Sequence, residues 1–308
     1  MEDYPKHLGE MEQRFPTTDA CRQYLVSLRW PEGFVCPACR GQQAWTMQRG
    51  LFLCRRCRRQ VSVTAGTIFQ DSHLPLPLWF RAMWYVTSQK NGASALGVQR
   101  ILGLGSYRTA WSWLQKLRRA MVRPGRDRLS GTVDMDETYL GGPRSGKRGR
   151  GAAGKALVLI AAQQDGSRIG RIRLLSLLDA SAASLEPAVQ AVVEPGSVVC
   201  TDGWRGYNGL AGLGYQHQVV RPDGQVGENL LPRCHRVASL LKRWLLGTHQ
   251  GAVGPVHLAY YLDEYTFRFN RRTSKSRGKL FYRLAQQAVQ VDPHPYSTLI
   301  KPQGIGAG

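Results

Sequence analysis

The side chains able to do chemistry fall into two groups, and the first is sulfur. Cys36-Pro-Ala-Cys39 is followed, after fourteen residues, by Cys54-Arg-Arg-Cys57. A CxxC turn presents two thiolates to one cation. Two such turns close a tetrahedral zinc site with sulfurs at about 2.3 Å from the metal. Four sulfurs leave no open coordination position, so a zinc here would hold a fold and perform no reaction. Gly41 and Gly50 stand where the knuckle and hairpin turns are expected. Cys21, Cys200 and Cys234 lack a partner at ligand spacing and read as small buried apolar groups.

The second group is acidic. Val133-Asp-Met-Asp-Glu137 reads as a strand, so Asp134 and Asp136 share one face and Glu137 takes the other. Asp202 ends the apolar run Val198–Cys200. Carboxylates brought side by side at strand ends repel unless a divalent cation lies between them. Phosphoryl transfer uses such an arrangement, with two ions about 3.5–4 Å apart on the attacking and leaving oxygens. The bland alternative for Asp136 and Asp202 is a strand-end cap or an ion pair. Three further residues of ligand type stand later in the chain. Glu228 follows Gly224 and Gly227 in a loop. Glu264 stands four residues before Arg268, the spacing of a helical ion pair. His235 opens a helix that also carries Lys242, seven residues on and so nearly two full turns along the same side.

These residues need elements to position them. A helix is expected over Ala20–Leu28, capped by Asp19. Residues 74–121 read as helical, with Trp79, Trp84, Trp111 and Trp113 as bulky core candidates. Strands are expected at Val133–Asp136, Ala156–Ala162, Arg171–Leu178 and Val198–Asp202, and a helix at Ala182–Val193. Further helices are expected from Pro232 through Trp244 and over His257–Phe269. The glycine- and arginine-rich insert Gly141–Gly154 reads as a mobile loop. Three strands, a helix, a fourth strand and more helices give the order of a ribonuclease H-like α/β domain, a mixed sheet with helices. The expected organisation is a helical lead-in at 1–30, a zinc ribbon at 31–70, a helix-turn-helix domain at 71–122, the ribonuclease H-like domain at 129–290 and a tail at 291–308.

The helix-turn-helix expectation rests on Ser94 capping a short helix, a Gly103-Leu-Gly105 turn, and Ser106 opening a second helix through Met121. Ala110, Trp113, Leu114 and Leu117 lie at core spacing. The outward face is expected to carry Tyr107, Arg108, Gln115, Arg118 and Arg119. A recognition helix reads bases through its first residues, here Tyr107, Arg108 and Ser112.

Charge fits this picture. The 308 residues hold 42 Lys and Arg against 21 Asp and Glu, a net +21. Such an excess repels itself unless the chain works on a polyanion, and nucleic acid is the first reading. Arg40, Arg49, Arg55, Arg56, Arg58 and Arg59 crowd the cysteines, where phosphate contact is the use a small ribbon has for them. No stretch is apolar enough to span a bilayer. The first residues lack the basic and apolar regions of a secretory signal, so a cytoplasmic, nucleoid-associated location is expected.

DETYLGG at 136–142, TDGWRGY at 201–207, HRVASLLKRWLLGTHQG at 235–251 and HLAYYLDEYTFRFNRR at 257–272 resemble the zinc-ribbon DDE-type transposases of bacterial insertion sequences. The narrower resemblance is to insertion-sequence family fifteen-ninety-five, which carries the ISXO-two-like transposase domain, and it runs from the ribbon to about residue 290. It implies metal-dependent cutting and joining of DNA at the terminal inverted repeats of a mobile element. It puts the first catalytic aspartate on Asp136 and the second on Asp202. The place of the third acid is taken by His235, and Lys242 belongs with the site as a point charge for phosphate. The implied cofactors are a structural Zn²⁺ and a catalytic Mg²⁺ or Mn²⁺, the latter favoured by an imidazole ligand. The implied partners are the element's ends, target DNA and a second copy of the chain to bridge two ends. A metal-dependent nuclease or resolvase, or a domesticated relative that only binds DNA, are the competing readings.

Overall fold

A computed structural model describes residues 2–123, 125–141, 155–221, 230–251 and 253–300. Most of the basic insert and Glu228 lie outside the described residues. The elements run α1 (Leu8–Arg14), α2 (Thr18–Arg29), β1 (Ala44–Thr46), β2 (Leu51–Cys54), β3 (Gln60–Ser62), α3 (Leu76–Ser88), α4 (Ala95–Leu102) and α5 (Tyr107–Ala120). After them come β4 (Thr132–Leu140), β5 (Ala156–Asp165), β6 (Arg168–Leu177), α6 (Ala182–Val192), β7 (Val198–Thr201) and β8 (Gln216–Val219). The last are α7 (Pro232–His249), α8 (Leu258–Phe269), α9 (Arg277–Ala288) and α10 (Tyr296–Leu299). Two compact units result, one of residues 1–124 with 273–301 and one centred on 125–272.

The first unit is a three-stranded antiparallel ribbon, β1-β2-β3, and a helical body. Thr17, not the expected Asp19, caps α2, its hydroxyl accepting from the Ala20 amide at 3.2 Å. Asp19 falls inside the helix and pairs with Arg22 instead. The helices close on rings: Trp79 stacks on Trp113 at 3.9 Å, and Phe15, Tyr24 and Phe80 surround Phe281 of α9. Trp79, Trp84 and Trp113 are buried as expected, and Trp111 is half-buried.

That ring cluster bears on a boundary. The ribonuclease H-like domain is expected to run to residue 290, whereas α9 packs on α3 and groups with residues 1–124. Leu280, Phe281, Leu284 and Ala285 need an apolar partner, and the aromatic faces of α2 and α3 supply it.

The second unit is built on a five-stranded mixed sheet in the order β6-β5-β4-β7-β8. β4, β5 and β6 form an antiparallel meander, and β7 and β8 run parallel to β4. Alternation in β4 and β5 gives the sheet two apolar faces. Val158, Ile160, Ala162 and Cys200 meet Val237, Leu241 and Leu245 of α7 and Leu258 and Leu262 of α8. Val133, Met135, Leu157, Leu159 and Ala161 meet Leu185, Val189 and Val192 of α6 on the other side. β6 forms one edge. There Asn270 mimics a strand, its side-chain oxygen accepting from the Ile172 amide at 2.7 Å and its nitrogen donating to the Ile172 carbonyl at 3.1 Å. Among the described residues no helix is long and apolar enough to cross a membrane.

Candidate active site and metal centres

β4 and β7 pair in parallel with Val133 opposite Val199 and Asp134 opposite Cys200. Two residues further on, Asp136 continues β4, while Asp202 directly follows Thr201, the last residue of β7. The first turn of α7 comes down beside Asp136. Pro232 occupies the first helical turn, where its missing N–H costs nothing. Cys234, Val237, Leu241 and Leu245 form the buried stripe that fixes the helix on the sheet. His235 therefore stands free of the core, half exposed, with its Nε2 at 3.2 Å from Asp136 Oδ2. The other carboxylate oxygen of Asp136 accepts from the Glu137 amide at 2.8 Å. Asp202 is exposed, and its Oδ1 accepts from the Trp204 amide at 2.9 Å. Lys242 lies two turns below His235 and is exposed.

The expected alternation holds. Asp134 and Asp136 face α7, while Glu137 faces the opposite layer, where the Tyr207 hydroxyl donates to its Oε1. Asp134 is buried. It accepts from Arg233 at 3.1 Å and from Gln164 at 3.2 Å. Glu264 is fully buried and takes a 2.8 Å ion pair from Arg268, one helical turn on. Of the candidate third ligands described, His235 is the one in contact with Asp136. Asp136 and His235 form a carboxylate–imidazole pair at this sheet end, and Asp202 follows the end of β7; these residue types are ones that divalent cations take as ligands.

The ribbon brings its four cysteines together. The sulfurs of Cys36, Cys39, Cys54 and Cys57 all lie within 4.8 Å of one another. Cys36 and Cys57 sit 3.6 Å apart, as do Cys39 and Cys54. A tetrahedron of sulfurs at about 2.3 Å from a zinc has edges of about 3.8 Å, so the donor set fits that ion. Both knuckles share one backbone device that the sequence hides. The residue after each second cysteine is left-handed, Arg40 at φ 61° and Arg58 at φ 58°. Gly41 has a different reason to be glycine: a Cβ there would come within 3.2 Å of Arg56 Cβ and 3.4 Å of two sulfurs. Gly50, at φ 69°, does take the expected turn conformation. Arg55, Arg56, Arg58 and Arg59 are all exposed, and Arg55 and Arg58 stack over Trp45 at 5.0 and 4.9 Å.

In α4 and α5, Ser94 caps as expected, accepting from the Gly97 amide at 3.1 Å, and Gly103 ends α4 in the left-handed region. Ser106 makes no side-chain cap. Tyr107 and Arg108 are exposed at the head of α5, with Arg108 over the Tyr296 ring at 4.9 Å. Two outward assignments fail. Gln115 and Arg118 are buried, Arg118 at 2% exposure, with its guanidinium 3.4 Å from Gln115 Oε1. The cause is α9, which packs against α5 and widens its buried face beyond the apolar stripe. Ser112 is buried as well, and Arg119 is half-buried. Cys21, Cys200 and Cys234 are buried thiols, as read from their spacing.

Comparison with known proteins agrees with this division. Residues 128–270 match the family of the ISXO2-like transposase domain, and residues 16–60 match the transposase zinc-ribbon domain. The chain is similar to an uncharacterized protein in transposable element ISH50 of Halobacterium salinarum. They are 28% identical over 280 residues, covering 83% of this chain and 91% of the relative.

Proposed function

Because the chain belongs to the insertion-sequence transposase family that joins a transposase zinc ribbon to an ISXO2-like transposase domain, we propose that it binds the terminal inverted repeats of its element. There it would catalyse divalent-metal-dependent strand cleavage and strand transfer. The observation that carries this reading is His235 Nε2 at 3.2 Å from Asp136, with Asp202 directly after the end of β7, the strand that pairs with β4. The sheet order, with the first strand central and the fourth and fifth parallel to it, supports a ribonuclease H-like reading of the domain.

Asp136, Asp202 and His235 would hold the catalytic Mg²⁺ or Mn²⁺, which when bound activates the attacking oxygen and stabilises the leaving one. His235 orients Asp136, and the Trp204 amide orients Asp202. Lys242 offers a point charge for a phosphate along the same helix. The ribbon cysteines hold a structural zinc and so present Arg55, Arg56, Arg58 and Arg59 to the DNA backbone. α4 and α5 act as a helix-turn-helix in which Tyr107 and Arg108 head the recognition helix and Arg119 flanks it. Arg118 is withdrawn from that surface by its burial. Bridging two element ends calls for two copies of the chain.

Strand transfer in vitro with pre-cleaved ends and Mg²⁺ or Mn²⁺ tests the proposal. Joined product is the expected result. Cutting without joining would indicate a nuclease or resolvase, and binding without either a DNA-binding relative.

A further inference from the structure

The β4–β7 ladder stops at Asp134 opposite Cys200, two residues short of the aspartates. Beyond that point side chains, not the ladder, must set how Asp136, Asp202 and His235 stand to one another. Building on the active-site reading above, we propose that Asp134 and Glu137, the acids flanking Asp136, are positioning residues. Asp134 fixes His235 through Arg233, and Glu137 fixes Asp202 through Tyr207.

The first link runs on the α7 side. Arg233 reaches buried Asp134 at 3.1 Å, while His235 reaches Asp136 at 3.2 Å. The two contacts start two residues apart on both elements. On a helix that spacing is about 200° of rotation, so the contacts leave α7 from different sides. One contact alone would let the helix roll; both together fix its rotation and hence the direction of the imidazole. Gln164 holds the second oxygen of Asp134 at 3.2 Å, so the anchor itself is fixed.

The second link runs on the α6 side. Tyr207 is fully buried, and its hydroxyl donates to Glu137. Burial first, then the Glu137 charge, push its proton affinity well up, so it stays a donor. Between Asp202 and Tyr207 the chain has almost no freedom. Trp204 Nε1 donates to the Ala180 carbonyl at 2.7 Å. A Cβ on Gly206 would come within 2.7 Å of both that carbonyl and Leu185 Cδ1. Gly203 is at φ 81°, and a Cβ there would meet Val219 at 2.7 Å. The segment therefore behaves as a rigid arm from Asp202 to Tyr207, and Glu137 ties its far end to β4.

The test measures Mn²⁺ affinity of the zinc-loaded full chain by electron paramagnetic resonance of free Mn²⁺, alongside thermal stability. Glu137→Leu with Tyr207→Phe removes both polar partners together, which avoids stranding a buried group. Asp134→Leu with Arg233→Met does the same for the other link. Each pair is expected to weaken Mn²⁺ binding about tenfold or more, the usual effect of losing groups that orient a ligand. Glu137→Gln keeps an oxygen for the Tyr207 hydroxyl and is expected to bind Mn²⁺ like the parent, which a merely space-filling role would not distinguish. Parent-like Mn²⁺ affinity in both double variants, while Asp136→Asn loses the ion, would overturn the positioning role. An Asp136→Asn chain that still binds Mn²⁺ would overturn the active-site reading itself.

Discussion

His235→Ala and Glu264→Ala should fail in opposite ways. His235 is half exposed and packs into no core, so its loss should change stability by no more than about 0.5 kcal/mol. It removes the group that touches Asp136, and strand transfer should fall by at least about a hundredfold, as expected when a metal-site donor is lost. Glu264 has no exposure and faces Arg268 at 2.8 Å, and Arg268 is itself 13% exposed. Removing one partner of a buried pair costs about 3–5 kcal/mol. Arg268 has a little access to water, so the lower end applies. At about 2–4 °C per kcal/mol for a chain of this size, Tm should drop by roughly 10 °C. The assay is strand transfer on pre-cleaved ends well below the melting range, with thermal denaturation of the same preparations. His235→Ala should be stable and inactive, and Glu264→Ala labile with near-parent activity per folded molecule. A Glu264→Ala chain of unchanged Tm and lost activity would show that Glu264, not His235, serves the reacting centre.

Asp136→Asn and Asp202→Asn should each abolish joining while retaining affinity for end DNA in a gel shift, since each removes charge but little volume. Mn²⁺ should support strand transfer at least as well as Mg²⁺ in a side-by-side titration, because imidazole suits the softer ion; a site that works only with Mg²⁺ would argue against His235 as a ligand. Arg118→Ala should lower Tm and leave the slope of binding against salt unchanged, whereas Arg55→Ala should reduce that slope, as loss of one phosphate contact does. His294 titrates below its ordinary 6.5 because of burial first and then Arg119 and Lys116. Its folded state resists the proton, so its contribution to stability is present above about pH 6.5 and is lost as pH falls through the lowered value. Tm should therefore decline on acidification in that window, and His294→Asn should flatten the decline.

Much of the site could be read from the chain because its signals are local. Two CxxC turns at ribbon spacing need no fold to be recognised, and the alternation of Asp134, Asp136 and Glu137 follows from strand geometry alone. What escaped depends on distant packing. Arg118 reads as outward because α5 taken by itself has a complete apolar stripe; only α9, more than a hundred and fifty residues later, buries the rest. The grouping of α9 with α3 depends on the same distant packing. β8 was missed because Gln216–Val219 is a short edge strand of mostly polar residues, which gives no hydrophobic period. The left-handed Arg40 and Arg58 were invisible because the usual glycine marker is absent; Gly41, next to Arg40, drew attention for a conformation it does not adopt.

Asn270 gives the second unit a property unrelated to chemistry. An edge strand is a template for adding another chain, and β6 would offer its amides and carbonyls to any extended segment that met it. The Asn270 side chain occupies both groups of Ile172, and Arg272 donates to the Gly170 and Ile169 carbonyls beside it. Sheet extension at this border is blocked by these side chains, beside the irregular register that β6 shows between Ile169 and Ile172. Replacing Asn270 with leucine would leave Asp136 and Asp202 untouched yet reopen the border, and the consequence to look for is concentration-dependent fibrous aggregation. Any pairing of two copies of this chain through a continuous sheet across β6 would first have to displace Asn270 and Arg272.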